Sequence, residues 1–113
     1  MCARNELNTI LNELAKSYRA VYGDNLYKII LYGSYARGDY RDDSDIDVAA
    51  LVKGSRQELQ DDLKTVWERA NDLELKYEIL VSPTVIPVDE FERYKSDLPY
   101  YRNIDNEGIL VDG

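Results

Sequence analysis

Apolar residues recur at helical spacing from the start of the chain. Between residues 4 and 22, Leu7, Ile10, Leu11, Leu14, Tyr18 and Val21 fall on one stripe with polar residues between them. That pattern predicts an amphipathic helix, and Gly23-Asp24 ends it. The period then changes. Leu26–Tyr32 is an apolar run of strand length, stopped by Gly33. Residues 33–45 read as a loop, with room for one helical turn from Ser34. Ile46–Val52 predicts a second strand; it is apolar on both faces apart from Asp47, which marks a strand inside a sheet. Lys53-Gly54 is a turn, and Ser55 with Glu58 has the form of a capping box. Leu59, Leu63, Val66, Trp67, Ala70 and Leu73 keep helical spacing, so a second helix is expected over 56–73. Residues 75–82 read as a third strand, extended or bent through Pro83 to Ile86, and Pro87 marks its end. Asp89 reads as the cap of a short helix over 90–96. Leu98-Pro99 opens a turn or short helix, and Gly108–Val111 closes as a small strand or apolar anchor. The expected order is α-β-β-α-β-α plus a tail.

Length sets this pattern in one unit: 113 residues are expected to form a single domain, 1–113. There is no internal repeat and no linker composition. No apolar run approaches the ~20 residues of a membrane span. Met1–Leu7 lacks the apolar segment of a signal peptide, and the lone Cys2 cannot pair internally. Both suit a reducing cytoplasm. A net charge of -8 repels phosphate backbones, which argues against general nucleic-acid binding. A metal nucleotide escapes that argument, because its cation brings positive charge into the site. The chain has no histidine, which removes Ser-His-Asp catalysis, Cys-His catalysis and His-ligated zinc together. Ten tyrosines stand beside one Phe and one Trp. They suit half-buried packing, or a partner surface.

The candidate chemistry lies in the loop. Glycine after a strand lets the backbone turn sharply and approach a ligand, so Gly33 with Ser34 suits a phosphate grip; the same pair suits an ordinary turn. Asp45 and Asp47 point to one strand face and repel each other unless neutralised, as a hard cation such as Mg²⁺ would do; solvated acids at a strand edge are the alternative. Glu78, on the expected third strand, is a candidate third carboxylate, able to help hold two metals or to take a proton. A register two residues different would put Leu80 there. Arg37 and Arg41 could fork onto phosphate oxygens, or pair with the neighbouring aspartates.

Gly33-Ser34, ten intervening residues, then Asp45-Ile46-Asp47, set between two strands, resembles the signature of the nucleotidyltransferase superfamily of polymerase β type. The small size is similar to its minimal nucleotidyltransferase (MNT) subfamily. The tail Tyr100-Tyr101-Arg102-Asn103-Ile104, with Glu107-Gly108-Ile109, is similar to that of many such proteins. The resemblance implies an α/β (α+β) fold with a small mixed sheet flanked by helices. It implies that Gly33 and Ser34 hold the triphosphate, that Asp45 and Asp47 bind Mg²⁺, and that a third-strand acid, here Glu78, completes a catalytic and metal set. ATP would be the substrate. The partner would be a HEPN-domain RNase toxin, with AMP passed to a tyrosine hydroxyl and the chain acting as antitoxin, either as a homodimer or assembled with the toxin. A non-catalytic antitoxin that works by binding, and an aminoglycoside-type small-molecule transferase, remain as alternatives.

Overall fold

The first stretch folds on the predicted stripe. In the computed structural model, which describes residues 4–111, helix α1 spans Arg4–Tyr22 and fully buries Ile10, Leu14, Ala15 and Tyr18. Cys2, the rest of Met1–Ala3, and the final two residues lie outside the described residues. A 3-10 turn, Gly23–Asn25, leads into strand β1, Leu26–Tyr32. Helix α2 is a single turn, Ser34–Arg37, and the chain then re-enters the sheet as β2, Ile46–Val52. Every residue of β2 except Asp47 is buried. It is central, as its two-faced apolar character predicts: it pairs antiparallel with β1 and parallel with β3, Val81–Pro87.

A parallel pair needs a long crossover, and helix α3, Arg56–Tyr77, supplies it. Ser55 caps α3 as expected, its hydroxyl accepting from the Glu58 N–H at 3.4 Å. The helix runs four residues past the predicted end. Leu73 and Tyr77 continue the i, i+4 stripe onto the core, and no Gly or Pro intervenes. The third strand, expected from residue 75, therefore begins only at Val81 and runs through Pro83 to Pro87; Tyr77, Ile79 and Val81 also alternate as a strand would, which is why the two readings compete there. β3 is the outer strand of the order β3-β2-β1-β4, where missing N–H groups are tolerated.

Helix α4 spans Val88–Tyr94 rather than 90–96. Pro87 precedes it without a side-chain cap, so Asp89 is not the cap; it sits in the first turn, where a negative charge favours the helix start. Helix α5, Pro99–Glu107, opens on a proline, whose missing N–H is unneeded there. The chain closes with β4, Ile109–Leu110, antiparallel to β1.

Strand alternation divides the core into two layers. Val48, Ala50 and Val52 pack toward α1 and α3, whereas Ala49 and Leu51 pack with Phe91, Tyr101 and Ile104 of α4 and α5. Tyr18 ties α1 to the sheet, its hydroxyl lying 2.8 Å from the Thr84 carbonyl and 3.3 Å from that of Val48. Among the described residues no helix is long and apolar enough to cross a membrane.

Candidate active site

Strand β1 delivers the backbone to a fixed point. Tyr32, its last residue, pairs with Asp47 of β2. Gly33 then adopts φ 76 and ψ -155, a region that residues with a side chain essentially do not enter. The turn presses the main chain against Asp47: a Cβ on Gly33 would lie 2.5 Å from the Asp47 Oδ2. Glycine is thus required twice, for its torsion and for the room it leaves the carboxylate. Gly33, not Ser34, is the N-cap of α2, and Ser34 is the first helical residue. The Gly33 carbonyl accepts from the N–H groups of Ala36 and Arg37, both at 3.1 Å. Tyr35 is buried beneath the loop and stacks on Tyr40, with ring centres 4.3 Å apart and planes within 5°. Both rings also pack against the α1 side of the core.

Asp45 and Asp47 stand together at the start of β2. The Asp47 carboxyl is held above the usual carboxylate range, first by burial and then by the charge of Asp45, with Arg37 pulling the other way. These are the electrostatics of two neighbouring acids with one guanidinium, that of Arg37, near enough to offset them in part. Ser82 of β3 is the register partner of Asp47, and its hydroxyl lies 3.4 Å from the Asp45 Oδ2. Arg41 closes the turn before the acids: its N–H donates to the Ser44 Oγ at 2.8 Å and its carbonyl accepts from the Ser44 N–H at 3.0 Å. Arg37 is braced at both ends of its guanidinium, Nε donating to Asp39 and Nη1 to Glu107 of α5, each at 3.2 Å.

Glu78 does not join this group. It is the left-handed residue, φ 56, that terminates α3; it is exposed and sits before β3 rather than within it. Leu80 comes closer, but by its backbone: its carbonyl accepts from the Ile46 N–H at 2.8 Å. Among the described residues no three acidic, Cys or His side chains cluster as a metal site. The structure therefore brings together Gly33, Ser34, Asp45, Asp47 and Arg37, adds Ser82, and leaves Glu78 out. The signal for Ser82 was the helical stripe reaching Tyr77, which moves the strand start to Val81. Glu107 is the other residue that spacing alone could not reveal, because it meets Arg37 only through the fold. Two carboxylates and a neighbouring hydroxyl are hard oxygen donors of the kind that Mg²⁺ takes, with water and phosphate filling the remaining positions. A cleft of about 610 Å³ lined by α1, Tyr35, Tyr40 and β4 includes neither aspartate.

The profile of the nucleotidyltransferase domain matches residues 7–111. The chain belongs to that family. Two nucleotidyltransferase relatives from Methanocaldococcus jannaschii both carry the name "putative protein adenylyltransferase". MJ0141 is 38% identical over 79% of this chain and 95% of its own length. MJ0604 is 33% identical over 89% of this chain and 93% of its own. The nucleotidyltransferase fold is shared with a solved structure named "putative minimal nucleotidyltransferase", at TM-score 0.55, 22% identity, and 93% and 92% coverage of the two chains. It is also shared with a mutant of the toxin–antitoxin MntA–HpeT, at TM-score 0.55, 20% identity, and 91% and 73% coverage. A toxin–antitoxin crystallised with AMP-PNP aligns at TM-score 0.51 and 21% identity, over 91% and 73% of the two chains.

Proposed function

We propose that this nucleotidyltransferase transfers AMP from ATP to a tyrosine hydroxyl of a HEPN-domain RNase toxin, and so acts as its antitoxin. The observation that carries the reading is the contact of Gly33 with Asp47, which sets the glycine-serine turn against the two carboxylates. One nucleotide can then touch both. The adenylyltransferase names of the archaeal relatives favour AMP as the group moved. The toxin–antitoxin neighbours, one with AMP-PNP, favour a toxin partner and an adenine nucleotide.

Asp45 and Asp47 would hold Mg²⁺, with the Ser82 hydroxyl orienting Asp45. Bound there, the ion supplies charge compensation along the triphosphate and polarisation at phosphorus. The chain's own groups do the rest. The main chain at Gly33 and the Ser34 hydroxyl grip phosphate oxygens. Arg37, already aimed by Asp39 and Glu107, adds a fixed positive charge, and Arg41 shapes the turn that presents Asp45. The acceptor hydroxyl attacks the α-phosphorus in line, and pyrophosphate leaves.

The test is incubation with α-labelled ATP, Mg²⁺ and the HEPN protein. Label is expected on the partner, and none with the Asp45→Ala, Asp47→Ala double variant. An unlabelled partner, in a reaction where a known adenylyltransferase labels its own target, overturns the reading. Ser82, standing where a third acid would complete the set, favours one alternative: a binding antitoxin with a weakened site. If the double variant still neutralises the toxin in cells, that alternative holds. If neutralisation is lost while the complex still forms, it fails.

A further inference from the structure

The sheet face that carries Asp47 also carries a pair of phenols the proposed reaction does not use. Tyr32 is the cross-strand partner of Asp47, so both side chains rise from that face. Tyr100 of α5 lies over Tyr32. Their rings meet edge-on with centres 5.8 Å apart, and their hydroxyls are 2.7 Å apart. Helix α5 is anchored in this position. Tyr101 bonds Glu90 and accepts from Arg56 at 3.0 Å, Ile104 is buried, and Glu107 holds Arg37 of the phosphate loop at 3.2 Å. Tyr101 is 7% exposed, yet its neighbour Tyr100 is 50% exposed. Burial first, then the hydrogen bond with Tyr100, raise the Tyr32 phenol above its ordinary range, and the charge of Asp47 adds to the rise. An accessible phenol, the acceptor type the chemistry calls for, is thus held on Tyr32, the cross-strand partner of Asp47.

We propose that Tyr100 is an intramolecular acceptor, so that the protein adenylylates itself there. This rests on the AMP-transfer reading above. The Tyr100 Oη attacks the α-phosphorus of ATP, and a phosphorus–oxygen bond to the phenol forms. The bond from the α-phosphorus to the bridging oxygen breaks, and pyrophosphate leaves with that electron pair. The phenolic proton passes to water, which reaches the exposed hydroxyl. No oxidation or reduction occurs. The product carries a nucleotide on α5 beside Asp47, where it obstructs a second ATP, so the modification limits further transfer.

The purified chain alone, with α-labelled ATP and Mg²⁺, tests this; a parallel reaction contains the HEPN protein. One adenylyl group per chain is expected, mapped to Tyr100 by peptide mass spectrometry, at a rate independent of chain concentration. Tyr100→Phe, shown folded by its melting curve, should lose the label. A labelled partner with an unlabelled chain overturns this inference and leaves the adenylylation reading standing. Label at another residue, label that survives in Tyr100→Phe, or a rate that rises with chain concentration also overturns it. No label on either protein overturns the reading and the inference together.

Discussion

Replacing Gly33 with alanine separates strain from displacement. The residue's torsions lie in a region that costs about 1–3 kcal/mol for a side-chain-bearing residue. At roughly 2.1 cal/mol/K per residue for unfolding, that is a fall in Tm of about 4–13 °C for a chain of this length. The new methyl would lie 2.5 Å from the Asp47 Oδ2, so the carboxylate or the turn must shift. A misplacement of ~1 Å in a reacting constellation costs on the order of 100-fold in rate. Gly38 supplies the control. It also has positive φ, 86, but a Cβ there meets nothing within 4 Å. Gly38→Ala should lose stability on the order of 1 kcal/mol by strain alone and keep its transfer rate. Thermal melting and labelled-AMP transfer, run on both variants, give the comparison. If Gly33→Ala matches Gly38→Ala in rate, the contact between the turn and Asp47 does not matter to catalysis and the reasoning fails.

Burial and Asp45 hold the Asp47 carboxyl above 3.8, its ordinary value, so its ionised form is disfavoured in the fold. Metal-free protein should lose stability as pH rises from that value through the raised one, and Asp47→Asn should remove this slope. At neutral pH the variant should melt slightly higher, by less than ~1 kcal/mol because the group is half exposed, while transfer is lost; a lower Tm refutes this. Ser82→Asp installs a carboxylate opposite Asp47 and should tighten Mg²⁺ binding in a calorimetric titration while lowering the metal-free Tm; unchanged Mg²⁺ affinity would show that Ser82 does not face the ion. Tyr18→Phe strips the hydroxyl that serves the Val48 and Thr84 carbonyls. The expected cost of about 1–3 kcal/mol should appear as a lower melting temperature, and an unchanged one would mean that the bonds contribute nothing.

The central strand and its acids were legible because their signal is local. β2 is apolar on both faces, and Asp45 and Asp47 interrupt it at strand spacing, so position and chemistry coincide in a few residues. The glycine-serine turn was legible for the same reason, although the capping role fell to Gly33. Glu78 was misread because a helical stripe and a strand alternation share Tyr77. Only the packing of Tyr77 on the core decides that the helix continues, and this moves the strand start to Val81. Ser82 had only the indirect signal of the helical stripe reaching Tyr77, and Glu107 gave none. One is placed by cross-strand register and the other by α5 folding back toward the loop, and neither relation exists until the chain is compact.

Two imino acids along β3 bear on how these molecules meet one another. Strand recruitment needs a donor at alternate positions, and the outer margin of the sheet has lost two of them, at Pro83 and Pro87. A neighbouring chain cannot zip onto that side while protein is being made at high local concentration. Strand addition is left to the opposite margin, where, among the described residues, Ile109 and Leu110 pair with Leu31 and Ile30 of β1.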